Sequence, residues 1–196
     1  MKKFTIILTL ITLTPLFLDA SIIKALTVNG NYVDLNENKT WSYSYNYKKP
    51  TDAKQKIATK RQNFSLWINP KIWKQVQSKE DDHLEFDHIS GKAFAMILTD
   101  TFNLPHDILK DVTIQEIQQA FSNIKILTDE DRIVNGRPVG CLEITASNAG
   151  EPYQFFTYYF THKKKGTIQV VTFSTSRDFY EHSTDLQNFA NGLVIK

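Results

Sequence analysis

The chain has 196 residues, and its 23 Lys and Arg nearly balance 21 Asp and Glu for a formal net charge of +2. That balance excludes the basic footprint of a nucleic-acid-binding domain, so nucleic acid is not expected as a partner. Thirteen Phe, eight Tyr and three Trp supply a large core, while seven Gly and six Pro leave little room for long disordered regions.

Met1-Lys2-Lys3 opens an uncharged apolar run, Phe4 to Leu18, which Asp19-Ala20-Ser21 closes with small and polar residues. Basic start, short apolar stretch and small residues in that order read as a secretory signal peptide over residues 1–20. The run is too short for a comfortable bilayer span, which takes roughly twenty residues. Cleavage after Ala20 removes Lys2, Lys3 and Asp19 and lowers the charge by one. The expected product is exported to the periplasm or beyond, with no stable membrane span once the leader is gone. Cys141 is the single cysteine, so no intramolecular disulfide can form, and none follows the leader to carry a lipid.

Residues 26–47 read as a small β-hairpin module. Asn29-Gly30 is a turn signal, Val33 and Leu35 alternate, and Thr40-Trp41-Ser42-Tyr43 supplies a further extended stretch. An isolated hairpin is marginal in water, so Trp41 and Tyr43 are candidates for a docking surface. Residues 48–62 are polar and lysine-rich, without an apolar stripe, and read as a partly helical linker.

The main domain spans 63–196. Phe64, Leu66 and Ile68 share one face of a strand that Asn69-Pro70 stops, and Trp73 follows in a turn. Ala93 to Leu98 is nearly all apolar and reads as a strand covered on both faces. Thr113-Ile-Gln-Glu116 matches a capping box ahead of a helix with Ile114, Ile117, Phe121 and Ile124 on one face. A helical turn can also start earlier, after Pro105. Asn135-Gly136 predicts a hairpin between Asp131 and Thr145. Tyr153–Thr161 and Thr167–Ser174 make another across Lys163-Lys164-Lys165-Gly166. A last helix starts near Asp178, with Glu181 as its capping partner, and ends at Asn191-Gly192. Strands in hairpins with helices between them define an α+β fold: a largely antiparallel β-sheet flanked by helices, preceded by the small hairpin.

Phe64-Ser-Leu-Trp-Ile-Asn-Pro-Lys-Ile-Trp, Ala93-Phe-Ala-Met-Ile, Arg132-Ile-Val-Asn-Gly, Cys141-Leu-Glu-Ile, Phe156-Thr-Tyr-Tyr-Phe, Gly166-Thr-Ile-Gln-Val-Val-Thr and Asn191-Gly-Leu-Val-Ile resemble a set of uncharacterised exported bacterial proteins. Over about residues 63 to 195 the resemblance implies the PsbP/DcrB-like fold, an antiparallel sheet with helices on both sides. The matching residues are strand cores and turns, so the resemblance implies no catalytic residue and no cofactor. The DcrB branch is a lipoprotein, and membrane attachment does not carry over to a chain without the required cysteine.

Asp81-Asp82-His83-Leu84-Glu85-Phe86-Asp87-His88 is the densest cluster of potential ligands. In an extended segment His83, Glu85 and Asp87 point one way and Leu84 and Phe86 the other. His83, Glu85 and His88 are the metal candidates, against the plainer reading of a solvated strand edge. Cys141 reads as a small buried strand residue rather than a nucleophile. Tyr153, Phe155, Phe156, Tyr158, Tyr159 and Phe160 place aromatics on both faces of one strand. Core packing is their default use, with Tyr153 and Tyr159 as candidates for an interaction surface. Lys163-Lys164-Lys165 reads as a solvated hairpin tip.

No motif specifies a reaction. The sequence therefore favours an exported, non-enzymatic binding or interaction module whose partner is an envelope protein or a small ligand. The competing reading is an envelope metal protein or hydrolase built on His83, Glu85 and His88.

Overall fold

The computed structural model describes residues 23–26, 32–35, 39–43, 46–59, 64–78 and 83–195. The segment predicted as a leader, residues 1–20, lies outside the described residues, as do the side chains of Trp41 and Tyr43.

Three short strands come first: β1 (Ile23–Leu26), β2 (Tyr32–Leu35) and β3 (Trp41–Tyr43). They pair antiparallel in sequence order, so the predicted hairpin is a three-stranded meander. Its predicted end belongs elsewhere. Strand β4 (Asn46–Tyr47) pairs parallel with β10 (Ser122–Val134) at the edge of the main sheet. The predicted linker also contains a strand, β5 (Gln55–Ala58), because Ile57 buries itself among the core residues while its neighbours stay in water. β5 joins β6 (Ser65–Ile68) and the C-terminal β14 (Leu193–Val194) in a second small sheet, with Leu66 and Ile68 fully buried.

The main sheet has eight strands in the order β4-β10-β11-β12-β13-β9-β8-β7. The remaining members are β7 (Trp73–Val76), β8 (His83–His88), β9 (Ala93–Asp100), β11 (Arg137–Asn148), β12 (Glu151–His162) and β13 (Gly166–Thr175). Every pairing from β10 through β7 is antiparallel, and all but β13–β9 join strands consecutive in the chain. Asn135 (φ 48°) and Gly136 (φ 80°) close the β10–β11 hairpin in the left-handed region, the geometry that favours Asn-Gly in a two-residue turn. Trp73, expected in a turn, begins β7 and is buried.

Two helices cover opposite faces. α2 (Ser176–Asn191) packs Phe179, Leu186 and Phe189 over Phe156, Tyr158, Ile168, Val170 and Ile97. α1 (His106–Ala120) packs Leu109 and Ile117 over Leu142, Ile144, Phe155 and Tyr159. Residues of β12 therefore alternate between the two cores, and both faces of its aromatic run are buried. Among the described residues no helix is long and apolar enough to cross a membrane.

The helix starts differ from those the capping patterns suggest. α1 begins after Pro105, and Thr113 lies inside it, with its hydroxyl donating to the Leu109 carbonyl at 2.8 Å. An intrahelical acceptor four residues back satisfies that hydroxyl without a helix start. α2 is capped by Thr175, whose side chain accepts from the Asp178 amide, so Asp178 takes the capping partner's place predicted for Glu181.

Candidate functional site

α1 crosses β11 and β12, and beyond it the same face of β9 and β8 is only half-buried among the described residues. Cross-strand register places Tyr159, Gln169, Leu98 and His83 in one row and Thr157, Val171, Met96 and Glu85 in the next. Between these rows and α1 runs a groove of about 410 Å³. Met96, Leu98, Val171, Phe155 and Phe173 form its floor, with Ile117 and Ala120 of α1 along its wall. Phe121 closes one end, edge-on to Phe155 with ring centroids 4.9 Å apart. The other end opens into a recess of about 60 Å³ where His83 and Glu116 meet Asp100, Thr167 and Gln169.

The groove is thus apolar at one end and rich in acceptors at the other. Gln169 is 5% exposed, and its Oε1 has no hydrogen-bond partner among the described residues; the same holds for the buried hydroxyl of Thr157. A buried acceptor left unpaired costs about 1–3 kcal/mol, so Gln169 marks a position where a ligand's donor would be favourable.

A second cluster lies on the opposite face, where β8 ends against α2. His88 Nε2 is 3.2 Å from Asp185 Oδ2, and His88 Nδ1 is 2.8 Å from Ser90 Oγ. The same hydroxyl is 3.3 Å from His182 Nε2. The two imidazole rings lie 4.8 Å apart between centroids, and Trp73 stands edge-on to His88 at 5.1 Å. Both histidines are buried and Asp185 is partly so. Hydroxyl, imidazole and carboxylate form a continuous chain, yet Ser90 sits on the exposed β8–β9 turn, away from the groove, and also accepts the Lys92 amide.

The metal candidates read from sequence do not converge. His83 and Glu85 face the groove under α1, whereas His88 lies on the α2 face, because an odd separation along a strand reverses the side. Nor is β8 a solvated edge: β7 lies outside it. Tyr159, a candidate for an interaction surface, is buried beneath α1 with its ring 4.8 Å from that of His106. Tyr153 is half-buried against Phe121. Cys141 is fully buried, and burial pushes its thiol up to about 12, which leaves it protonated and inert at neutral pH. His182 and Asp185 escaped sequence reasoning because their partner stands 97 residues earlier in the chain than Asp185. The available signal was the i, i+3 spacing of His182 and Asp185 on one helical face.

The chain is a mixed α+β protein with a PsbP-like fold. The cyanobacterial PsbP protein of Synechocystis superposes with a TM-score of 0.53 at 13% identity, over 75% of this chain and 95% of its own. A protein of unknown function from Pseudomonas aeruginosa gives 0.48 at 11% identity, over 64% of this chain and 98% of its own. LpqN of Mycobacterium tuberculosis, involved in cell envelope biogenesis, gives 0.40 at 13% identity, over 66% and 78% respectively. No family profile and no curated protein sequence matches this chain.

Proposed function

We propose that the chain is an exported, non-enzymatic binding module that holds a small amphiphile in the groove under α1. The carrying observation is the groove's polarity gradient: apolar floor residues Met96, Leu98 and Phe173 lead to a recess ringed by Asp100, Glu116 and Gln169. Its volume suits a small ligand, since such sites commonly enclose about 300–1,000 Å³. Carboxylates beside an unpaired amide oxygen favour a head group that donates hydrogen bonds and carries positive charge, and they disfavour an anionic one. The ligand class is therefore an apolar chain ending in a protonated amine. Export rests on the leader over residues 1–20. An enzyme built on His83, Glu85 and His88 is not supported, because those side chains lie on two faces of the sheet.

Calorimetric titration of the full chain with dodecylamine, dodecanol and dodecanoate tests the reading. The amine should bind one to one, at least about tenfold tighter than the carboxylate, a difference near 1.4 kcal/mol. Met96→Trp should fill the groove and abolish binding while the thermal midpoint holds. Equal affinity for amine and carboxylate, or full binding by Met96→Trp, would overturn the assignment. Recovery of the native protein from the envelope fraction with Ser21 as its first residue checks export and cleavage; retention in the cytoplasm would refute them.

A further inference from the structure

We propose that His88, His182 and Asp185 form a binding site for a single transition-metal ion of the zinc, nickel or copper class. The site is independent of the groove, which lies on the other side of the sheet.

The three side chains offer one ligand atom each, and those atoms all lie within 4.8 Å of one another. A tetrahedral zinc ion with bonds of about 2.0–2.1 Å holds its donor atoms roughly 3.3 Å apart. His88 Nε2 and Asp185 Oδ2, at 3.2 Å, already have that separation. His182 and Asp185, three residues apart, share one face of α2 and approach the end of β8 together. Two imidazoles with one carboxylate select borderline transition metals over calcium or magnesium, which prefer shells of oxygen.

The surroundings suit a coordinated histidine. His88 Nδ1 lies 2.8 Å from Ser90 Oγ and accepts the Ser90 amide at 3.1 Å, so the ring is held from that side while Nε2 faces Asp185. Such an outer contact commonly fixes the orientation of a ligating histidine. Trp73 packed edge-on further limits rotation of the ring. Asp185 is partly exposed and gives an ion a path from solvent. Beside Asp185, a cavity of about 10 Å³ that Trp73 also borders is large enough for one water.

The test uses the full, untagged chain, stripped with chelator and titrated with Zn²⁺ by calorimetry, with Ca²⁺ as the oxygen-preferring comparison. The expected result is one Zn²⁺ per chain, a raised thermal midpoint and no response to Ca²⁺. Asp185→Asn and His182→Gln should each weaken Zn²⁺ binding at least about 100-fold, while His83→Ala on the other face leaves it unchanged. Absence of stoichiometric uptake by the native chain would overturn the site. So would uptake that survives both substitutions, or uptake lost in His83→Ala. If a substitution unfolds the chain, electron paramagnetic resonance of the Cu²⁺-loaded native protein decides: coupling to two imidazole nitrogens supports the site, and any smaller number rejects it.

Discussion

The side-chain amide of Asn135, in the β10–β11 turn, donates to the main-chain carbonyl of Asn191 at 2.9 Å. It also donates to the Leu193 carbonyl at 2.7 Å, while its Oδ1 accepts the Lys49 amide at 2.7 Å. Asn191 in turn accepts the Tyr158 hydroxyl at 2.9 Å through its side chain. One turn residue thus joins the segment after β4, the end of α2 and the start of β14. Asn135→Ala should cost about 3 kcal/mol, because three part-buried groups lose partners and alanine takes up a left-handed backbone. Asn135→Gly loses the same bonds without the backbone strain, so it should be less destabilised by about 1 kcal/mol. Urea denaturation of the two variants separates the terms; equal losses would refute the strain contribution.

Gly140 faces Tyr159 across the β11–β12 ladder, and a Cβ at Gly140 would stand 2.1 Å from the ring carbon Cζ. The phenol is held under α1 beside His106, so it has little room to withdraw. Gly140→Ala is expected to cost about 2–3 kcal/mol through overpacking. In a Tyr159→Ala background the same change should cost under about 1 kcal/mol, a coupling measurable by a double-mutant cycle. Additive costs would show that the ring is not the obstacle.

Features encoded by a few adjacent residues were legible in the sequence, and features made by distant residues were not. Asn135-Gly136 announces its turn because two successive left-handed residues narrow the choice of amino acids. The alternation of Leu84 and Phe86 with His83, Glu85 and Asp87 likewise gives the two sides of β8 correctly. Ala93 to Leu98 looked covered on both faces, yet Phe94, Met96 and Leu98 remain half-exposed, because α1 lies over β11 and β12 instead. That offset creates the groove, and no local pattern encodes it. β5 was missed because Ile57 is the lone buried residue of that strand, too little for a periodicity. Thr113 and Glu116 matched a capping motif that a helix interior also tolerates when the hydroxyl bonds back to Leu109.

Cys141 should be silent to thiol reagents in the native state. Its side chain is fully buried and its thiol titrates near 12 instead of at the ordinary 9.0, chiefly because burial disfavours the thiolate. A colorimetric disulfide reagent at about pH 8 should label less than a tenth of the protein until denaturant is added, then one thiol per chain. Because the folded value is the higher one, the associated stability is complete below the unfolded value of 9.0 and is lost as pH rises towards 12. Cys141→Ala should flatten that alkaline decline; rapid labelling of native protein would contradict the burial.

The cap of α2 should set a response at the acid end. Lys92 Nζ donates to Asp178 Oδ1 at 3.0 Å, and the Thr175 hydroxyl donates to Asp178 Oδ2 at 3.0 Å. The Lys92 bond is the larger cause, with Thr175 second, of an Asp178 carboxyl held below its usual 3.8. A depressed folded value means the contribution is whole above 3.8 and disappears as pH falls through the lower folded value. Lys92 is shifted upward from 10.5 mainly by the same hydrogen bond, so its share is whole below 10.5 and fades above it. Asp178→Asn should therefore lower the thermal midpoint at neutral pH, and the gap from the native protein should close on acidification below about pH 4. Thr175→Ala should cost about 1 kcal/mol at neutral pH through loss of the cap. It should also move the Asp178 carboxyl, followed by NMR titration, back towards 3.8. A gap that stays constant with pH would mean that Asp178 acts through packing alone.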